Sequence, residues 1–208
     1  MQQKKRIGMA LCGVLLCGTC VGILQKCNFG ADPFTCFVTS FAHLFHSTYS
    51  RWYVVVTGAL LIGVFFIERH YIGIATIFNL FGTGMMADLA LGFLNQIFPN
   101  PSRITCIILL AVGVVFSSFA ASLYFTADLG VSAYDAAALI MANKYKVMPF
   151  RFCRITTDII CVATGFFCHV TIGIGTVITA LMMGPIIQMF NTHFSEPFLY
   201  GRQGKPHQ

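Results

Sequence analysis

Apolar residues run along this chain in long blocks separated by short polar or glycine-rich stops. Residues 7–24 form the first block, long enough to cross a bilayer as a helix, which takes roughly 17–25 residues. The stop Asn28-Phe29-Gly30-Ala31-Asp32-Pro33 follows, where Asp suits a helix cap and Pro the first helical turn. Residues 34–47 then predict a shorter helix carrying Thr35, Thr39, Ser40 and His43, polar for a full span. Blocks at 52–67 and 72–98 come next, the latter glycine-rich with one acid, Asp88, and Pro99-Asn100-Pro101-Ser102 reads as a connection.

The same order then recurs. Residues 104–125 form a span, and Asp128-Leu129-Gly130-Val131-Ser132 is the matching stop. Ser132-x-x-Asp135 has the form of a capping box with Asp in place of Glu, which starts a short amphipathic helix at Ala133 that runs to about Lys144. Spans at 152–168 and 172–190 complete the copy, and the stretch from Ser195, with Pro197, Gly201, Gly204 and Pro206, reads as a loose polar tail. Residues match one hundred positions apart: Gly30 with Gly130, Arg51 with Arg151, Thr57 with Thr157 and Gly84 with Gly184. Ile72-Gly73-Ile74-Ala75-Thr76 likewise matches Ile172-Gly173-Ile174-Gly175-Thr176.

The expected fold is therefore all-α, a polytopic transmembrane helical bundle of two internal repeats, each with about three full spans and one short helix. Residues 1–6 are the cytoplasmic N-terminus, 7–98 the first repeat, 99–103 a linker, 104–192 the second repeat and 193–208 the polar tail. If the short helices re-enter, there are six spans and the halves face opposite ways. If they cross, there are eight and the halves are parallel. Their shortness and polarity favour six. The Lys and Arg pattern fits both, with both termini in the cytoplasm.

Composition supports a membrane class and removes others. The chain of 208 residues is 57% hydrophobic and 10% charged, against about 25% charged in soluble domains. Lys4-Lys5-Arg6 before the first block resembles a signal peptide, but no small-residue cleavage site closes it, so it reads as an uncleaved helix. The net charge of +6 gathers between apolar blocks, not in a nucleic-acid stripe. Nine cysteines lie mostly within apolar blocks, and mid-helix Cys17-x-x-Cys20 reads as packing. The histidines lack metal-ligand spacing, and no phosphate loop, nucleophile elbow or carboxylate pair stands out. No enzyme, cofactor or metal is expected.

Candidate chemistry gathers at the two stops. Each sets a helix N-terminus near membrane depth, where unpaired N–H groups can meet a ligand. Asp32 and Thr35 mark the first start, Ser132, Tyr134 and Asp135 the second. Asp135 argues for a cation, a proton or an amine at its end. Thr76 and Thr176, after the Ile-Gly turns, are packing residues or ligand contacts. Asp88 and Asp158 lie inside spans, where an acid costs about 2.5–3.5 kcal/mol and is a candidate coupling group. Asp158 lies one turn from Arg154 and has a simpler role as its ion-pair partner.

Gly30-Ala31-Asp32-Pro33-Phe34, Leu129-Gly130-Val131-Ser132-Ala133-Tyr134-Asp135 and the Ile172–Thr176 turn resemble the YczE/YitT-type bacterial integral membrane proteins, over about residues 5–192. The resemblance implies a small multi-pass protein of the bacterial inner membrane, of unassigned activity and with permease as the usual expectation. The leading expectation is a secondary transporter for a small polar or charged solute, bound at the interface of the repeats. Two other classes stay open: a substrate-capture subunit of an ATP-driven importer, and a non-transporting interaction or regulatory protein. The partners expected are the lipid bilayer and a small molecule or ion, with a second copy or an energising subunit open and nucleic acid not expected.

Overall fold

The computed structural model describes residues 2–200 apart from positions 28, 31, 48 and 171. Asn28 and Ala31 of the first stop and residues 201–208 of the expected tail thus lie outside the described residues. The described chain is helical throughout: α1 Gln2–Cys27, α2 Pro33–Leu44, α3 Tyr49–Ile67, a 3₁₀ turn Arg69–Tyr71, α4 Ile74–Ile97, α5 Arg103–Ala127, α6 Ala133–Leu139, α7 Phe150–Phe167, α8 Ile174–Phe190 and α9 Glu196–Tyr200. Single π turns, Ile140–Lys144 and Asn191–Ser195, prolong α6 and join α8 to α9. Element starts and ends recur at the spacing of the sequence matches: Cys27 and Ala127 end α1 and α5, Pro33 and Ala133 begin α2 and α6, and Ile74 and Ile174 begin α4 and α8.

Four helical stretches are long and apolar enough to cross a membrane: Gln3–Cys27, Ile74–Ile97, Arg103–Ala127 and Ile174–Tyr200. At 1.5 Å per residue, α3 reaches about 28 Å, close to a bilayer's hydrocarbon thickness of about 30 Å, and α2 only about 18 Å. Large apolar side chains such as Phe66, Phe81, Ile104 and Phe167 are exposed around the outside, as a lipid-facing surface requires. The protein is an integral, multi-pass membrane protein.

Close helix contacts fix the relative directions of the long helices. A side chain added at Gly13 would meet Ala120 and Tyr124, and one added at Gly113 would meet Leu24 and Ile23, so α1 and α5 cross antiparallel. The Gly18-x-x-x-Gly22 face receives α4: Gly18 lies against Thr83 and Met86, Gly22 against Ala87 and Leu91, and Lys26 Nζ donates to Asn95 Oδ1 at 2.7 Å. α1 and α4 are therefore parallel. α5 and α8 are parallel in turn, with Leu110 beside Gly175 and Phe119 beside Phe190.

A reciprocal clasp joins the halves. The Ala75 N–H, at the start of α4, donates to Leu129 O at 3.0 Å, and the Gly175 N–H, at the start of α8, donates to Phe29 O at 2.9 Å. Gly30 and Gly130 have φ of 109° and 105°, a region side chains rarely adopt, and each packs on the Gly-x-x-Thr turn of the other half. A stop that looks like a local break in the sequence is thus the cap of a distant helix.

Two boundaries differ from the sequence reading. α1 begins at Gln2, so Lys4-Lys5-Arg6 forms its first turns and not a separate N-terminal segment. The expected tail from residue 193 is helical to Tyr200. Leu199 buries itself beside Met9 and Ala10, and Arg6 Nη2 donates to the Tyr200 hydroxyl at 3.0 Å. Pro197 follows the π turn Asn191–Ser195 within the continuous helical stretch Ile174–Tyr200 and does not end it.

Candidate functional site

The short helices begin head to head inside the bundle. Asp32 caps α2: its Oδ1 accepts from the Thr35 N–H at 2.9 Å and its Oδ2 from the Thr35 hydroxyl at 2.7 Å. Ser132 caps α6: its Oγ accepts from the Asp135 N–H at 3.1 Å and donates to Asp135 Oδ2 at 2.6 Å. In the first turns Phe34 stacks on Tyr134, with ring centroids 4.9 Å apart and planes at 25°. The helix expected to be amphipathic is instead enclosed around its circumference: Ala133, Tyr134, Asp135, Ala136 and Ala138 are all buried.

α7 closes the site with one cation and one acid. The Arg154 guanidinium lies 4.5 Å from the Tyr134 ring centroid, so the ring is held between it and Phe34. Arg154 Nη1 donates to Asp135 Oδ1, and its Nε lies 3.4 Å from Asp158 Oδ2. The Tyr124 hydroxyl of α5 also donates to Asp135, and the Tyr134 hydroxyl donates to Asp158 Oδ1 at 2.5 Å. Asp135, Arg154 and Asp158 are 5%, 7% and 1% exposed, so these charges depend on one another for solvation. Asp32 stands nearby at the cavity wall, so carboxylates outnumber the single guanidinium here.

A cavity of about 170 Å³ opens where the helix starts meet. Asp32, Phe34 and Thr35 line it from α2 and its cap, Asp135 from α6, Arg154 from α7, Tyr124 and Ser117 from α5, and Cys17 and Gln25 from α1. Met183 and Ile187 of α8 complete an apolar side. Drug-sized ligands occupy pockets of roughly 300–1,000 Å³, so this one suits a small solute. It carries donors and acceptors on one side and hydrocarbon on the other.

The structure brings Asp32, Thr35 and Asp135 to the cavity and sets Ser132, Tyr134 and Asp158 directly behind its wall. Thr76 and Thr176 lie elsewhere. Each Oγ accepts from the N–H of its own Gly-x-x-Thr turn, Gly73 at 3.2 Å and Gly173 at 3.4 Å, and Thr76 also donates to Val131 O at 2.9 Å. They secure the clasp, the packing role open to them from the sequence. Asp88 is not at the cavity either: it is exposed on the outside of α4, which meets α1 through its opposite flank. Sequence reasoning did not assign Tyr124, Cys17 or Gln25, which reach the cavity only through helix packing. Arg154 announced itself only through its spacing from Asp158, with no hint of Asp135. Among the described residues, no three His, Cys, Asp or Glu side chains form a metal-binding group.

A family model described as "Family of unknown function (DUF6198)" matches residues 4–192. The uncharacterised membrane protein YczE of Bacillus subtilis is 26% identical over 161 residues, which cover 76% of this chain and 72% of that protein. An uncharacterised protein of Haemophilus influenzae is 22% identical over 190 residues, covering 90% of this chain and 84% of its own length. No solved structure matches.

Proposed function

We propose, from the premise that the chain belongs to the DUF6198 family of unknown function, that it is a secondary transporter of a small polar or charged solute. Its helices form two inverted repeats of three crossings and one re-entrant helix each, with the solute held between them. The observation that carries this reading is the cavity at the meeting point of two helix starts, one from each half and both within the bundle. Broken helices at matching places in two halves, pointing their N-termini at one site, are the arrangement by which secondary transporters hold solutes at mid-membrane. The opposed directions of α1 and α5 and the matching element bounds support the inverted arrangement. Asp135, Arg154 and Asp158 supply a charged group whose balance changes with one proton, a means of coupling solute movement to a proton gradient.

Single-cysteine protein retaining only Cys17 tests the site. A membrane-impermeant thiol reagent should label Cys17 in sealed vesicles, and the solute that is carried should slow the labelling. A Cys17 that resists the reagent after the vesicles are also opened would remove the cavity from any solute path. In proteoliposomes, purified protein should accumulate the solute found by that protection, and Arg154→Ala should abolish uptake. Binding without movement would instead favour a capture subunit that needs an energising partner.

A further inference from the structure

The two halves are not in the same conformation. In the second half α7 packs along α8: a side chain added at the buried Gly184 would meet Arg151 O at 2.9 Å and Arg154 Cβ at 3.2 Å. The corresponding positions of the first half are Gly84, Arg51 and Val54. There a side chain added at Gly84 would meet nothing within 4 Å, and Arg51 and Val54 are exposed. One turn further along, Gln188 is half-buried with its Oε1 enclosed, whereas its counterpart Asp88 is bare on the outer face of α4. A carboxylate left bare on the outer face of a membrane-spanning helix is costly wherever it meets hydrocarbon.

We infer a second state in which α4 docks along α3 through Gly84, against Arg51 and Val54, and Asp88 pairs with Arg51 in the first turn of α3. This rests on the transport reading and deepens it. The structure has one helix pair closed and its counterpart open. A protein built of two inverted, similar halves reaches the opposite access state by exchanging those conformations between them. The geometry of closure is already present in the second half. Gly84 and Asp88 share one helix flank, because residues four apart do. Contact of Gly84 with the Arg51–Val54 surface carries Asp88 toward the N-terminal end of α3. There a carboxylate gains both the guanidinium and the positive end of the helix. Asp88 thereby acts as a latch: costly in lipid when the pair is open, neutralised when it is closed.

Disulfide trapping tests this in otherwise cysteine-free protein in native membranes. Gly84→Cys adds a side chain where the present structure has free space and Val54→Cys replaces an exposed one, so folding is preserved. Docking would bring their Cβ atoms near the roughly 3.5–4.5 Å that a disulfide needs. Ser122→Cys with Ser195→Cys, whose hydroxyls lie 2.7 Å apart, is the positive control. The expected result is an intramolecular disulfide in the Val54/Gly84 pair, formed about tenfold more slowly when Asp88→Ala or Arg51→Ala is added, with the rate recovered by exchanging the two charges. No disulfide where the control forms would overturn the second state. Disulfide formation indifferent to Asp88 and Arg51 would overturn the latch. A Gly84→Cys single variant that crosslinks between chains would assign the face to a second copy and overturn the inference as well. Solute uptake without the disulfide leaves the transport reading intact, and the disulfide in protein that moves nothing refutes that reading alone.

Discussion

The start of α2 and the start of α6 are built on one plan and carry different chemistry. Both follow a positive-φ glycine that packs against the other half, and both are capped by a side chain three residues before the N–H it receives. At α2 the acid is the cap, Asp32, and its partner Thr35 is neutral. At α6 the cap is neutral, and the acid, Asp135, sits one turn in, bound to Arg154 and Tyr124. The plan is a scaffold requirement, because clasp and cap satisfy backbone groups that lipid cannot. The difference places a charged network on one side of the cavity only. It extends to α7, where Arg154 stands opposite Val54 of α3, a buried cation against an exposed aliphatic.

Substitutions can break this comparison, and the largest effect is expected at Arg154. Arg154→Ala leaves Asp135 and Asp158 buried without their cation and should cost about 3–5 kcal/mol of stability, seen as a large drop in the unfolding temperature of purified protein. Val54→Ala, its counterpart, should move that temperature little. An equal loss at both positions would mean that the network is not what separates the halves.

The clasp should instead be alike in both halves. Gly30→Ala and Gly130→Ala each force a side chain into positive φ and onto the opposing turn, for at least about 2 kcal/mol apiece by strain and overlap. Thermal unfolding of the two variants should agree closely. A harmless change at either glycine would show that the clasp is not reciprocal in the membrane.

Packing of the last helix should differ again. Gly184→Ala presses on Arg151 and Arg154 and should cost about 1–3 kcal/mol, whereas Gly84→Ala meets open space and should be neutral or slightly favourable in a helix. Protease resistance in detergent would read both. A modest loss is expected at the caps, where Ser132→Ala should cost about 1 kcal/mol and Asp32→Ala a similar amount. Helix content by circular dichroism should hardly change in either.

Much of the architecture is legible in the sequence. The stops at Gly30 and Gly130, the Asp32 and Ser132 caps, and the short helices behind them follow from local rules of backbone conformation and hydrogen bonding. Residues 193–200 are helical although Pro197 and the polar residues near it speak locally for a loop. The anchoring of Leu199 and Tyr200 on α1 is a contact between chain ends. The site was legible only in part. Asp32, Thr35 and Asp135 were named because helix starts are local features. Tyr124, Cys17 and Gln25 lie within apolar helices, where nothing marks the face turned inward.

The sequence by itself determined the helical class, the stops, the caps and the hundred-residue spacing at which element bounds recur. Apolar length, glycine freedom and cap chemistry act over a few residues. Only the tertiary structure decided which helix faces meet. It turned Asp158 inward and Asp88 outward, aimed Arg154 at Asp135, closed α7 on α8 and left α3 apart from α4. Those outcomes depend on the rotation of one helix against another, set by close packing among residues distant in the chain.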